Sequence, residues 1–319
     1  MAVLVGIDEA GFGPILGPLV VSSTVFSLPE NLLKADLWEV LRKSVGSRRK
    51  HLGGRLLVAD SKKAHTAKEG TKHIKRATLA ALNCLGQNPA TLTQLLAALC
   101  PECLSQLSDC PWYGKVDSYE ISADGADIAI ASMLLGNDLA SNNMKLLGIR
   151  SCCLDAGYYN RMVSVVRNKA RVLFTATSSL IKNAFDEFGG DNLNVIIDRH
   201  GGRMRYRGPL QRMFADLKLK ILQENQKTSS YQLEGNGKSM RLHFVVEADD
   251  RFLPVSLASM VSKFLRELLM DNINRYFAGF YSGLKPTAGY WKDGLRFIKD
   301  LKTYIPQVQY DSNLLIRSR

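Results

Sequence analysis

Cysteine is sparse in this chain: six thiols among 319 residues, at positions 84, 100, 103, 110, 152 and 153. That is too few for the disulfide framework of a small secreted protein, and a reducing, cytoplasmic location is expected. A long apolar run is also missing. The apolar N-terminal stretch is broken by Gly13, Pro14, Gly17 and Pro18 and carries acids where a targeting segment would carry basic residues. This argues against a membrane span and against a secretory signal. There is no internal repeat and no low-complexity tract, so solenoids and tail-like chains are set aside. Acid is in deficit, with 30 Asp and Glu against 42 Lys and Arg, for a net charge of +12. Such a balance favours polyanionic partners, nucleic acid or a membrane surface. The remaining composition, 46% apolar and 23% charged, is that of a soluble globular protein. The length allows one large domain with an insertion, or two domains.

The chain opens on strand-like sequence. AVLVGID is apolar and β-branched, and PLVVSSTVFSL follows after a glycine turn, which predicts an antiparallel hairpin. Residues 33–45 read as a short amphipathic helix, RLLVAD (55–60) as a short strand ending in an acid, and 67–85 as a helix. Residues 86–143 change character, with three of the cysteines and two helix-like pieces, TLTQLLAAL and ADIAIASMLL, and read as an inserted segment. Strands are expected at 144–155, 194–198, 217–223, 229–233 and 241–249, with a turn at Glu234-Gly235-Asn236-Gly237. Helical patterns cover 159–188, 255–270 and 288–302. Strands first, then helices alternating with strands, imply an α/β layer with a mixed sheet.

Three of the apolar strands run into acid: VGIDE (5–9), NVIID (194–198) and FVVEADD (244–250). Sites in open α/β sheets lie beyond strand ends. Neighbouring side chains on a strand face opposite ways, so Asp8 and Glu9 converge only if their strand is ending, and Gly11 and Gly13 permit that bend. Acids at strand ends are often helix caps or solvated turn residues. Were Asp8, Glu9, Asp198 and Asp249 to gather, each pair about 4 Å apart would repel by about 4 kcal/mol at an effective dielectric near 20. Divalent cations relieve such repulsion, and all-oxygen donors suit Mg²⁺ or Mn²⁺. Carboxylates holding two such ions cleave phosphodiesters, which would match the basic charge.

GIDEAGFGPILGPLVV resembles the opening block of type 2 ribonucleases H. ADSKK (59–63), NVIIDRHGG, VVEADDRFLPVSLASMVSKFLRE (245–267) and AGYWKDGLRFIKDL (288–301) are similar to later blocks of that family, in the same order. The resemblance spans about 1–75 and 145–319. It implies a ribonuclease H-like α/β fold: a mixed five-stranded sheet flanked by helices, in a catalytic domain over 1–270 that is interrupted at about 86–143. Residues 271–319 would form a C-terminal helical extension packed on it. It also implies a monomeric endonuclease that uses two Mg²⁺ or Mn²⁺ ions and cuts the RNA strand of RNA/DNA hybrids or ribonucleotides embedded in DNA. Asp8, Glu9, Asp198 and Asp249 would then be the metal-binding, catalytic acids. Gly11, Phe12, Gly13, Ser61, Lys62, Ser259, Lys263, Arg266 and Tyr290 would contact nucleic acid, with Tyr290 against the sugar whose 2′-hydroxyl marks RNA. Some positions depart from the pattern. Phe12 stands where the family has arginine, Glu247-Ala248 where it has Lys-Gly, and Glu267 where it has aspartate. A DNA nuclease or junction resolvase on the same scaffold, and a non-catalytic nucleic-acid-binding module, are the competing readings.

Other features read more plainly. Lys263 lies one helical turn beyond Ser259, on a shared face. Arg203, Arg205 and Arg207 alternate, as a phosphate-tracking strand with Tyr206 as a stacking ring between them would, or equally a basic loop. Cys100-Pro-Glu-Cys103 with Cys110 offers three thiols where structural zinc needs four ligands, so buried free thiols are expected. Gly237-Lys238-Ser239 lacks the glycine five positions earlier that a phosphate-binding loop requires, since Gln232 stands there. His200 follows Asp198 closely enough to serve a leaving group, though a lone loop histidine is more often structural.

Overall fold

The computed structural model describes residues 1–66, 69–121 and 124–318. Seven strands form one mixed sheet: β1 (Ala2–Ala10), β2 (Leu19–Leu28), β3 (Lys145–Leu154), β4 (Leu193–Asp198), β5 (Lys218–Glu224), β6 (Thr228–Gly235) and β7 (Lys238–Val245). Their spatial order is β3-β2-β1-β4-β7-β6-β5. The expected five-stranded sheet is thus corrected to seven, because the antiparallel β5–β6–β7 meander continues the sheet instead of folding away from it. Asn236 and Gly237, with φ of 56° and 73°, make the tight β6–β7 turn, the left-handed pair that two-residue hairpins need. β1 pairs antiparallel with β2 but parallel with β4, and β4 parallel with β7. Three central strands therefore finish at one edge of the sheet.

Alternation along β1 sends its side chains to two cores. Leu4 joins one cluster with Phe26 and Val261, while Val3, Val5 and Ile7 join the other with Leu173 and Ile181. The seven longer helices are α1 (Lys72–Cys84), α2 (Leu92–Leu99), α3 (Gly125–Ser141), α4 (Ala156–Val166), α5 (Lys169–Phe188), α6 (Leu253–Ala278) and α7 (Trp291–Tyr304). α6 covers the Leu4 side and α5 the other. α6 comes in close because β1 offers no side chain at Gly6. A Cβ there would stand 2.2 Å from the Pro254 carbonyl carbon.

Several boundaries differ from expectation. The helix expected over 67–85 runs from Lys72, and positions 67 and 68 lie outside the described residues. The helix expected over 33–45 shrinks to Leu37–Val40, and that over 159–188 is two helices. The break falls at Arg167, in the left-handed region at φ 49°, followed by Asn168, whose side chain caps α5. Within 86–143, α2 and α3 bury Leu92, Leu96, Leu135 and Leu139 in the same cluster as Leu4 and α6. No described helix is long and apolar enough to cross a membrane.

Candidate functional site

The parallel register decides which acids meet. Ile7 stands opposite Ile197, so Asp8 and Asp198 are the next residues on neighbouring strands. Asp198 pairs with Val245, the last residue of β7. Beyond β7 the chain turns at Glu247, left-handed at φ 53°, into a short 3₁₀ turn, Ala248–Asp250, that carries Asp249. The amide of Ala248 donates to Asp198 Oδ1 at 2.8 Å, tying that turn to the β4 acid. Asp249 is therefore on a turn rather than on the strand expected to run to 249. β1 likewise does not end at its acids: Glu9 and Ala10 are still paired with Val21 and Val20. Asp8 and Glu9 are adjacent across the pleat, the Glu9 amide donating to Asp8 Oδ1 at 2.7 Å.

A fifth acid joins them. Asp60 follows a two-residue strand, Leu56–Leu57, and its side chain caps the short helix Ser61–Ala64 by accepting from the Lys62 amide at 2.9 Å. It also hydrogen-bonds the side chain of Asp249. RLLVAD has the same pattern of apolar strand ending in acid, so the sequence carries a signal for Asp60.

Electrostatics couple the members of the group. Burial pushes the Asp8 carboxyl well up, and the charges of Glu9, Asp198 and Asp249 push it further, against a hydrogen bond with Ser259. Burial, then Asp198, raises Glu9 from 4.5 to about 8. Burial, then Asp60 and Asp198, raises Asp249 to about 7. Asp198 is raised by burial, while the Ala248 amide and Lys62 pull it back. Burial lowers the Lys62 ammonium, but Asp60, Asp249, Asp8 and Asp198 outweigh it and raise the group. The result is a partly buried pocket of like charge with one ammonium facing it.

That donor set fits a hard divalent cation. All the donors are carboxylate oxygens, and each group is held towards its neutral form by neighbours that a cation would neutralise. The side chains are not gathered into a cage: among the described residues no three His, Cys, Asp or Glu side chains stand close enough together to hold a metal ion.

The expected nucleic-acid contacts stand in different settings. Ser61 is buried and accepts from Ser259 Oγ at 3.1 Å, beside the acids. Tyr290 is 51% exposed at the start of α7, and Gly13 is exposed in the glycine turn. Lys263 is half-buried and paired with Glu267 at 2.5 Å. Arg266 is 1% exposed and lies beneath the turns instead of on the surface. It donates to the carbonyls of Leu16 and Ala288, and a Cβ on Gly11 would come within 2.6 Å of its Nε. Phe12 packs under the ammonium of Lys169 at 5.3 Å, and Arg317 from the C-terminal tail donates to the carbonyls of Gly11 and Phe12.

Two single residues of this region belong to the core. His200 is buried among Phe174, Tyr206 and Phe244, and burial lowers it to about 3, so it is a core residue. Tyr206, read as a possible stacking platform between the arginines, is fully buried and stacks on Phe244 at 3.6 Å.

No family model and no curated protein matches the chain. Solved structures do. The chain is similar in structure to ribonucleases HII and HIII over nearly its whole length. The ribonuclease HII in a complex with PCNA from Archaeoglobus fulgidus is 15% identical, with a TM-score of 0.46 over 99% of this chain and 94% of that one. Ribonuclease H2 from Pyrococcus horikoshii is 15% identical, with a TM-score of 0.45 over 98% and 92%. Bst-RNase HIII in complex with Mn²⁺ is 13% identical, with a TM-score of 0.40 over 93% of this chain and 62% of that one.

Proposed function

We propose that this chain is a divalent-metal-dependent endonuclease that hydrolyses the RNA strand of RNA/DNA hybrids or ribonucleotides embedded in DNA. The observation that carries the reading is the meeting of Asp8, Glu9, Asp198 and Asp249 near enough to raise one another's or a neighbour's pKa. They stand at the edge where three parallel strands finish. Burial of mutually repelling carboxylates is destabilising unless something compensates it, and a structural role would be served better by neutral side chains. The sequence blocks that resemble type 2 ribonucleases H carry these same four acids.

In this reading Asp8, Glu9, Asp198 and Asp249 hold two Mg²⁺ or Mn²⁺ ions, and Asp60 fixes Asp249 by their hydrogen bond. When bound, the ions supply an activated water and charge to stabilise the leaving oxygen. The Ala248 amide fixes the Asp198 carboxylate. In the same reading Lys62, Ser61 and Ser259 take a phosphate oxygen near the acids, and Gly11, Phe12 and Gly13 offer backbone amides to the strand. Tyr290 offers an exposed ring for the sugar. Lys263 is available once released from Glu267, whereas Arg266 acts from below, by holding the turns.

The test uses purified protein, a labelled RNA/DNA hybrid and a DNA duplex with one ribonucleotide, with Mg²⁺ or Mn²⁺, and maps the cut. Cleavage on the RNA strand leaving a 3′-hydroxyl and a 5′-phosphate is expected. Asp198→Asn should lower the rate by at least on the order of 10–100-fold while leaving the melting transition in place. Equal cutting of all-DNA duplex would replace the proposal with a DNA nuclease. Metal-independent binding without cleavage would replace it with a binding module.

A further inference from the structure

A second cluster of reactive side chains lies away from the acids. α2 ends at Cys100, and the next residues, Pro101–Cys103, form one 3₁₀ turn closed by the Cys103 amide donating to the Cys100 carbonyl at 3.0 Å. That turn brings the two sulfurs to 3.3 Å. A third thiol, Cys153 on the edge strand β3, hydrogen-bonds Cys103. Cys110, the nearest partner by sequence, takes no part in this contact. All three thiols line a cavity of about 720 Å³ with Pro101, Glu102, Arg150 and Cys152.

We infer that Cys100 and Cys103 are a redox-active dithiol, converted by peroxides to an intramolecular disulfide. The sulfurs need to close from 3.3 Å to about 2.05 Å. Both sit on one short turn, so side-chain rotation can absorb the difference, whereas a bridge to Cys153 would have to pull that turn against the sheet. The cavity gives a small oxidant a path to thiols that are otherwise buried. Hydrogen bonds from Cys100, then Cys153, lower the Cys103 thiol, while the same contacts raise its two partners. Cys103 is thereby the nucleophile of the three. Its thiolate attacks a peroxide oxygen, the O–O bond breaks, and hydroxide leaves to take up a proton as water, giving a sulfenic acid at Cys103. The Cys100 sulfur then attacks that sulfur, the S–O bond breaks, and a second water leaves with the Cys100 proton. Two thiols and one hydrogen peroxide give one disulfide and two waters.

The experiment treats the reduced full-length protein with hydrogen peroxide, blocks remaining thiols with N-ethylmaleimide, and reads intact mass and peptide map. Expected is a loss of two hydrogens, four blocked thiols in place of six, and a bridge within the Cys100-Pro-Glu-Cys103 peptide that dithiothreitol reverses. In Cys100→Ser, a dimedone-trapped sulfenic acid should accumulate on Cys103. Six blocked thiols after peroxide, a bridge mapped to another pair, or irreversible oxidation of Cys103 in the unmodified sequence would overturn the inference.

Discussion

At the scale of single residues the acids set the terms. Glu9 rises to about 8 and Asp249 to about 7, burial being the first cause in each case. A carboxyl whose folded pKa is raised binds more protons folded than unfolded, so its stabilising contribution is complete below the unfolded value and is lost as pH climbs through the folded one. The metal-free protein should therefore lose stability between about pH 4.5 and pH 8. A cation binds the ionised carboxylates and displaces their protons. Mn²⁺ should then raise Tm clearly at pH 8 and little at pH 5, read by thermal melts with and without the ion. Equal shifts at both pH values would mean the ion binds elsewhere. These four acids were legible in the sequence because an apolar run stopping at an acid is a local pattern. Asp60 carries the same mark on a strand of two residues, and only the fold shows that this short strand ends beside the other acids. The burial of His200 and Tyr206 was not legible, since nothing local announces that Phe244 and Phe174 will close over them.

At the scale of elements, two backbone positions control how the acid-bearing pieces approach. Gly6 lets α6 lie against β1 two residues before Asp8, and the atoms a new Cβ would strike are backbone of Pro254 and Val255, at 2.2 and 2.3 Å. They cannot swing aside. Gly6→Ala should destabilise by about 1–3 kcal/mol, the usual result of overpacking, and a urea melt would measure it. Stability equal to the parent would mean that β1 and α6 separate freely. Glu247 presents the reverse case: a side-chain-bearing residue held left-handed at φ 53° just before Asp249. Left-handed backbone costs about 1–2 kcal/mol with a Cβ. Glu247→Gly should raise stability by about 1 kcal/mol in the same assay, and a loss would show that the Glu247 side chain makes a contact worth more than the strain. The type and order of the long elements followed from their periodicity. What did not was the split between α4 and α5, where the pattern runs on and only Asn168 marks a cap, and the width of the sheet. The strands at 217–223 and 229–233 were visible, but their joining the same sheet as β1 depends on long-range pairing with β7.

At the scale of the whole molecule, residues 316–317 meet residues 11–16 at the glycine turn. Leu16 bridges Ile316, the Arg317 amide donates to the Ile15 carbonyl at 2.8 Å, and the Arg317 guanidinium reaches the carbonyls of Gly11 and Phe12. Arg317 is 4% exposed, its guanidinium lies 4.3 Å from the centre of the Tyr159 ring, and burial lowers its pKa to about 10. Arg266 holds the same glycine turn from α6 through the carbonyl of Leu16. The turn that follows Asp8 and Glu9 is thus fixed by cations from beneath and behind, in a chain whose turn carries Phe12 rather than a cation of its own. Removing one of them leaves partly buried carbonyls without these donors. Hydrogen bonds to a charged group are worth about 1.5–3 kcal/mol each, so Arg317→Ala, which removes two of them, should destabilise by roughly 3–6 kcal/mol. Tyr290→Ala, at a ring 51% exposed, should stay within about 0.5 kcal/mol of the parent. Urea melts of the two variants side by side decide it. Equal small effects would mean that the tail rests on the turn without holding it.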